Sequence, residues 1–139
     1  MAKTKVSIDI KAPIKKVYEV ITDFESYPKF ISGTKSAKIL KKSKNRLEVE
    51  FKIDVIKTIT YSIAVELDPP NGFSWSLIQG EVMKSNSGGW RLEEIDKKNT
   101  RAFYEIEVGF GLLVPSSISK LLMDKNLPQM LKEFKEWAE

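Results

Sequence analysis

The strongest constraint in this sequence is a run of about eighty residues, beginning after Gly33, in which apolar and polar side chains alternate. A period of two is typical of β-strands that bury one face and expose the other. The alternation predicts six strands, over residues 35–41, 46–55, 58–67, 73–83, 89–95 and 100–110. Short connections between consecutive strands make them antiparallel. Turn-forming residues mark these connections at 42–45, 68–72, 85–88 and 96–99, whereas the joint near 56–57 is placed by strand length alone.

One face of the predicted sheet is apolar. Its members share parity within each strand, and they are Leu47, Val49, Phe51, Ile53, Val55, Ile59, Tyr61, Ile63, Val65, Leu67, Phe73, Trp75, Leu77, Trp90, Leu92, Tyr104, Ile106, Val108 and Phe110. The alternate positions are largely charged or hydroxylated, and we expect them to face water. An earlier strand with the same alternation, at Val6, Ile8 and Ile10, brings the sheet to about seven strands.

Residues 117–139 are predicted to form one long helix, because apolar residues recur there at spacings of three and four. Ser117 is the predicted N-cap. Pro128 would interrupt the helix, since it lacks an N–H and its ring clashes with the preceding turn. It is either a packing accommodation or a hinge over a cavity. The apolar stripe comprises Ile118, Leu121, Leu122, Leu127, Met130, Leu131, Phe134 and Trp137.

Two shorter helices are predicted between the first strand and the six-strand run. Pro13 suits a first helical turn, and the helix that follows should end near residue 22 or 23. Residues 23–31 are aromatic and interrupted by Pro28, so they form at most one or two helical turns. The predicted fold is therefore α+β: a curved antiparallel sheet of about seven strands wrapped around a long C-terminal helix, with two short helices after the first strand.

The sheet offers more apolar surface than the helix can cover. About nineteen large side chains lie on the sheet face and about eight on the helix, which is only about 10 Å wide. We therefore expect the sheet to curl around the helix and to leave a cavity between them. The alternative is that all these side chains interdigitate at the density of an ordinary core.

The predicted cavity would bind an apolar ligand that carries an oxygen or two. Tyr61 and Tyr104 would supply hydroxyls, and Trp75 and Trp90 would supply indole N–H groups. The full set of predicted ligand-binding residues is Tyr27, Phe30, Phe51, Tyr61, Trp75, Trp90, Tyr104, Ile106, Leu122 and Met130.

The composition disfavours several kinds of chemistry. The chain has no cysteine and no histidine, which removes disulfides, thiolate nucleophiles, the usual zinc sites and the commonest general base. We therefore predict no metal, no cofactor and binding rather than catalysis. Catalysis would have to rest on Asp, Glu, Lys, Tyr or Arg, and the candidate acids or bases of a cyclase-type enzyme are Tyr61, Tyr104 and Glu81. Gln79 and Glu81 share the parity of Trp75, and they would either line the mouth of the cavity or lie in water.

Length and charge set expectations about organisation and location. The 139 residues suffice for a single ligand-binding domain. No run of about 18 apolar residues and no signal-peptide core is found, which predicts a cytoplasmic protein. Lysine accounts for 20 of the 23 basic residues, which disfavours sequence-specific nucleic-acid binding. Between Ser26 and Leu47 there are seven basic and no acidic residues, which form either a solvated hairpin or a surface for an anionic membrane or the ribosome.

The order of elements and two stretches of sequence resemble the START-like, or helix-grip, superfamily, and within it the polyketide-cyclase and coenzyme Q-binding branch. IKKVYEVITDFESYPKFI, at 14–31, resembles that branch's signature of an Asp followed by a Tyr-Pro pair and an aromatic residue. FSWSLIQGEVMKSNSGGWRLEEI, at 73–95, resembles its strand, Gly turn and Gly-Trp strand. The resemblance implies that Trp90 lies on the sheet and that four residues lie beside the cavity entrance, namely Asp23, Tyr27, Pro28 and Phe30.

Members of this branch include lipid- and quinone-binding proteins, a bacterial protein proposed to act on ribosome assembly, and aromatase/cyclases, so the fold alone does not fix an activity. The predicted function is non-enzymatic binding or transport of a hydrophobic small molecule, a lipid or an isoprenoid quinone-like compound, between the sheet and the C-terminal helix. The alternatives are a polyketide cyclase or aromatase-type enzyme, and a regulatory protein that associates with the ribosome or peripherally with the membrane.

Overall fold

Seven antiparallel strands form one sheet in the computed structural model, which describes residues 2–55, 57–112 and 114–139. The sheet has the order β1-β7-β6-β5-β4-β3-β2, so the first strand pairs with the last. The predicted run of antiparallel strands is confirmed. The strands are β1 (Ala2–Ile10), β2 (Thr34–Lys42), β3 (Arg46–Val55), β4 (Lys57–Asp68), β5 (Gly72–Gly80), β6 (Met83–Asp96) and β7 (Asn99–Phe110). Ile56, at the joint placed by strand length, lies outside the described residues.

Helical segments cover the concave face of the sheet. The last of them packs against the two early helices and against β1, where Lys135 donates a hydrogen bond to the carbonyl of Asp9 at 2.9 Å. The predicted helix-grip arrangement is confirmed. The segments are α1 (Ile14–Thr22), a 3₁₀ turn (Phe24–Ser26), α2 (Tyr27–Phe30), α3 (Ser116–Leu121), a π-helical turn (Leu122–Asn126) and α4 (Leu127–Ala138).

Burial follows the predicted parity of the strands. In β3, Val49, Phe51 and Val55 are buried, whereas Lys52 and Asp54 are exposed. In β4 the predicted inward-facing residues Ile59, Ile63 and Val65 are also buried, opposite inward-facing residues of β3. Ser62 and Ala64 between them are buried as well, so the alternation in burial is incomplete in β4. The apolar face assigned from the sequence is therefore the face that meets the helices.

The turn predicted at residues 85–88 is wrong. These residues lie inside β6, and Glu81 and Val82 connect β5 to β6 instead. Val82 has φ of 56°, in the left-handed region that a β-branched residue rarely adopts, so this tight connection is strained. The two strands pair over only five positions, the last of which is Ser76 opposite Ser87.

The C-terminal helical segment differs from its prediction in two details. It begins at Ser116 after Pro115, rather than with Ser117 as the N-cap. The interruption expected from Pro128 is present as the π-helical turn directly before α4. Because Pro128 cannot donate a hydrogen bond to the carbonyl of Asp124, a wider turn at this point is the expected response of the backbone.

Candidate functional site

A cavity of about 280 Å³ lies between the concave face of the sheet and the C-terminal helical segment. Strands β3 to β7 supply one wall, and the 3₁₀ turn, α2, the π-helical turn and α4 supply the other. The volume lies near the lower end of the range of about 300–1,000 Å³ that is typical of small-molecule sites. The sheet thus leaves space beside the helix, as expected from its larger apolar face.

Aromatic rings dominate the wall of this cavity. Phe51 stacks between Tyr27 and Tyr61, with ring centroids 5.9 and 5.5 Å apart and interplanar angles of 29° in both pairs. The ring centroid of Tyr104, on β7, lies 5.7 Å from that of Trp75, on β5. The nine aromatic residues of the wall are Phe24, Tyr27, Phe51, Tyr61, Phe73, Trp75, Trp90, Tyr104 and Phe134. A flat apolar ligand would find ring faces and edges on several sides.

Three tyrosines reach the cavity, and they differ in how their hydroxyls are used. Tyr27 donates its hydroxyl hydrogen to the carbonyl of Ile21. The hydroxyls of Tyr61 and Tyr104 bond to none of the residues that the structure describes, yet neither is sealed away from the cavity space. Burial raises the pKa of both phenols, and for Tyr104 the neighbouring Tyr61 raises it further. Both therefore remain protonated at neutral pH and can donate a hydrogen bond.

Asn86 supplies a polar group that sequence reasoning missed. Its side chain is buried, and its Oδ1 accepts a hydrogen bond of 2.9 Å from Nε1 of Trp75. Among the described residues, its Nδ2 has only Sδ of Met83 as a partner, at 3.8 Å, and a thioether is a weak acceptor. The signal that could have found Asn86 is its parity, since Asn86, Gly88 and Trp90 alternate along one face of β6.

Gly88 is required by the position of Trp75. The two residues lie opposite each other in the β5–β6 pair. A Cβ atom at Gly88 would lie 2.7 Å from Cζ2 of Trp75 and 2.1 Å from the carbonyl oxygen of Glu105. The glycine that suggested a turn is therefore present because the indole ring lies over it.

The exposed members of the described lining are Ser32, Asp54 and Gln129, so the mouth of the cavity lies where the loop before β2 and the end of β3 meet α4. Oε1 and Oε2 of Glu133 are each 3.3 Å from the backbone nitrogen of Ser32, and Oε1 is 3.4 Å from its hydroxyl. On the other side of this loop, the backbone of Asp54 donates to the carbonyl of Gly33 at 2.9 Å. Asp54 and Glu133 are the charged residues among the described lining, which includes no lysine or arginine.

The structure brings nine of the ten predicted ligand-binding residues to the cavity wall. They are Tyr27, Phe51, Tyr61, Trp75, Trp90, Tyr104, Ile106, Leu122 and Met130. Phe30 lies outside the wall, where its ring stacks on Trp137 at 4.8 Å with an interplanar angle of 6°. Of the other residues implied by the sequence resemblance, Asp23 and Pro28 are exposed and form no part of the wall.

Gln79 and Glu81 face water. Gln79 pairs with Ser62 and Leu77 pairs with Ile63, so Ile78 is an extra residue that reverses the parity of the strand. Oε1 of Glu81 accepts a hydrogen bond of 2.8 Å from the backbone of Thr60 on the rim of the sheet. The cavity wall thus includes neither side chain.

The basic stretch between Ser26 and Leu47 occupies α2, β2, the hairpin turn after β2 and the first residue of β3. Its members are Lys29, Lys35, Lys38, Lys41, Lys42, Lys44 and Arg46. Acidic residues of the neighbouring strands offset part of this charge: Glu50 lies opposite Lys38, Glu48 opposite Lys41, and Glu66 3.6 Å from Arg46. Contact of this surface with an anionic membrane or the ribosome stays a prediction.

Two further features bear on the class of the site. In the part of the chain that the structure describes, no three acidic side chains come together in a way that would hold a metal ion. None of the helices among the same residues is both long enough and apolar enough to cross a bilayer.

Comparison with known sequence families gives a match over most of the chain. The sequence profile of the family described as polyketide cyclase/dehydrase and lipid transport matches residues 10–135. No curated protein sequence matches the chain.

Comparison with solved structures gives matches over nearly the full chain. The Zhui aromatase/cyclase from Streptomyces sp. R1128 has a TM-score of 0.88 and 19% identity, covering 99% of this chain and 93% of that one. A START superfamily protein from Mycobacterium smegmatis has a TM-score of 0.86 and 17% identity, covering 98% and 96%. A protein from Thermus thermophilus has a TM-score of 0.87 and 17% identity, covering 99% and 97%. At these identities the likeness concerns the fold alone.

Proposed function

The chain belongs to the polyketide cyclase/dehydrase and lipid transport family, and we propose that it binds or carries a hydrophobic small molecule without transforming it. The observation that carries this proposal is the cavity of about 280 Å³ and its wall of nine aromatic side chains. Each square ångström of apolar ligand surface removed from water contributes about 25 cal/mol, so such a wall favours an apolar guest.

Catalysis has weaker support at this site. A general base must lie within reach of the substrate and have a pKa near the working pH. Tyr61 and Tyr104 reach the cavity, but burial raises the pKa of both, away from neutrality. Glu81 faces water outside the wall, and the two carboxylates in the lining, Asp54 and Glu133, lie at its mouth. The described lining therefore offers hydrogen-bond donors inside the cavity, whereas its two carboxylates belong to exposed or partly exposed residues.

Binding can be tested with a neutral fluorescent probe, N-phenyl-1-naphthylamine, and with native mass spectrometry of the purified protein. We expect the probe to bind with one site per chain. A hydrophobic compound recovered from the purified protein by organic extraction should displace it. Ile106→Trp would fill part of the cavity, because Ile106 is buried in its wall, and should weaken probe binding at least about tenfold.

Ile78→Trp is the matched control, because Ile78 is 46% exposed and lies outside the wall. It adds the same ring to the protein but leaves the cavity unchanged, so probe affinity should be retained. Circular dichroism should report the same secondary structure for both variants. If the folded protein binds neither this probe nor any compound of a broad hydrophobic panel, the proposed function is wrong.

A further inference from the structure

We propose that the ligand of this cavity is a compact, neutral aromatic compound with a carbonyl oxygen, held by the hydroxyls of Tyr61 and Tyr104 and the amide of Asn86. The inference rests on the proposed function and narrows it to one chemical class. Three properties of the cavity support it: unused hydrogen-bond donors, the sign of the charges in the lining, and the shape of the aromatic wall.

The first property is the set of unused donors. The hydroxyls of Tyr61 and Tyr104 have no partner among the described residues, and Nδ2 of Asn86 has only the sulfur of Met83. The exposed fraction of Asn86 is only 5%, so bulk water does not readily satisfy its amide. Donors that face the cavity space without a strong protein acceptor are available to an acceptor on the ligand, and hydrogen bonds formed in such an enclosed site favour binding. Carbonyl oxygen, with two lone pairs, can accept from two of these donors at once.

The second property is the charge of the lining. Its described members include two carboxylates, Asp54 and Glu133, and no lysine or arginine. An anionic ligand would have to pass acidic residues at the mouth and lose its hydration without gaining a cationic partner. Carboxylates and phosphates are therefore disfavoured, although they are common head groups of lipids. A neutral ligand meets no such cost.

The third property is the shape of the wall. Tyr27, Phe51 and Tyr61 form a stacked row, and Trp75 lies against Tyr104 on the other side. Aromatic pairs gain from stacked and edge-to-face geometry beyond the area that they bury. A planar ring system can use both arrangements here, whereas a flexible alkyl chain gains only from its buried area and loses more conformational freedom. The small volume also favours a compact ligand.

Three bicyclic probes of matched size test this inference by isothermal titration calorimetry. Naphthalene has the rings alone, 2-acetonaphthone adds a neutral carbonyl, and 2-naphthoate replaces it with a carboxylate of similar shape. At pH 7 we expect the ketone to bind at least about fivefold more tightly than naphthalene, because its carbonyl oxygen accepts one or two hydrogen bonds that naphthalene lacks. We expect 2-naphthoate to bind at least about tenfold more weakly than the ketone.

Variants of the donors identify the atoms responsible. Tyr61→Phe and Tyr104→Phe each remove one hydroxyl and keep the ring, so each should weaken the ketone by about three- to tenfold and leave naphthalene unchanged. Tyr18→Phe is the matched control, because Tyr18 lies on α1 outside the described wall. Asn86 is left intact because its Oδ1 holds Trp75 in place.

The outcomes separate this inference from the proposed function. If naphthalene binds as tightly as the ketone, the carbonyl assignment is wrong, and if 2-naphthoate does, the assignment of a neutral ligand is wrong. Hydrophobic binding stands in both cases. Loss of ketone affinity in Tyr18→Phe equal to that in Tyr61→Phe and Tyr104→Phe would also overturn it. If none of the three probes binds and N-phenyl-1-naphthylamine does not bind either, both the inference and the proposed function fail.

Discussion

The C-terminal helical segment has two halves with different surroundings. The wall half, residues 116–130, contains the π-helical turn and borders the cavity through Leu122, Leu127 and Met130. The anchor half, residues 131–139, contains Phe134, which is only 1% exposed. Most of the helical residues that line the cavity therefore belong to the wall half, whereas the anchor half reaches the lining only through Glu133 and Phe134 among the described residues.

The anchor half is held by rings and by polar contacts. The ring of Phe134 lies 5.0, 5.2 and 5.3 Å from those of Tyr27, Trp90 and Phe30. Beyond it, the carboxylate of Glu139 accepts a hydrogen bond of 2.9 Å from the backbone of Lys11. These contacts fix the end of the helix to the start of α1 and to the sheet.

The difference indicates where the protein can change shape. Parts of a protein with few buried contacts open at lower free energy than its close-packed parts. The wall half touches the cavity, and its π-helical turn departs from regular helix, so it is the part that we expect to move when a ligand enters. The anchor half should keep its position.

The largest effect should come from Phe134→Ala. Removing this ring from the anchor half leaves a void among three aromatic neighbours, and we expect the free energy of unfolding to fall by about 3–5 kcal/mol. Met130→Ala, in the wall half, should cost less than about 2 kcal/mol, because Met130 is only partly buried, whereas Phe134 is almost fully buried. Urea denaturation measures both. Equal losses would show that the two halves are packed alike.

Pro128→Ala should act on the wall half with a smaller effect on stability. The alanine restores an N–H that can bond to the carbonyl of Asp124, which favours a regular α-helical turn over the π-helical one. We expect a stability gain of less than about 1 kcal/mol and slower exchange of N-phenyl-1-naphthylamine in stopped-flow experiments. Unchanged exchange rates would identify the proline as a packing detail only.

The sequence predicted the strands and the cavity wall well because a period of two is a local signal. Phe51, Tyr61 and Tyr104 belong to stretches in which the alternation is unbroken, and all three face the cavity as predicted. The prediction failed at residues 85–88, where turn-forming residues serve packing: Asn86 binds Trp75, and Gly88 makes room for it. Residue preferences cannot separate these two uses without knowledge of the opposite strand.

Other features depend on pairing that no local pattern reveals. The extra residue at Ile78 reverses the parity of β5, so Gln79 turns to water although it shares the spacing of Trp75. The positive charge of the basic stretch is likewise partly balanced by acidic residues that lie outside the stretch in sequence. Glu48 of β3, for example, lies opposite Lys41 of β2. Both outcomes follow from strand register, which is set by contacts between residues distant in the chain.

Glu133→Gln should have a modest effect at the mouth of the cavity. The carboxylate of Glu133 joins α4 to the loop at Ser32 through bonds of 3.3 to 3.4 Å, and the amide can keep only part of this contact. We expect a stability change below about 1 kcal/mol and faster probe exchange than in the wild type. Glu136→Gln, on the exposed side of the same helix, is the matched control. Identical exchange in both variants would exclude a role for this contact at the mouth.

The smallest effect should be the acid dependence of the anchor half. The hydrogen bond from Arg101 holds the pKa of Asp9 below its ordinary value of 3.8, and the bond from Lys135 holds the pKa of Glu139 below 4.5. A carboxyl with a lowered folded-state pKa stabilises the protein above its unfolded-state pKa, and this contribution is lost as the pH falls through the folded-state value.

We therefore expect the urea midpoint to be nearly constant from about pH 7 to 5 and to fall below about pH 4. In Glu139→Gln the fall should be slightly shallower, because the amide does not titrate and so no longer distinguishes the folded from the unfolded state. Asp96, in the turn between β6 and β7, should also lower the urea midpoint at acid pH, because a hydrogen bond from the backbone of Lys98 lowers the pKa of Asp96. A midpoint that decreases equally in the wild type and in Glu139→Gln would place the acid sensitivity outside the end of the helix.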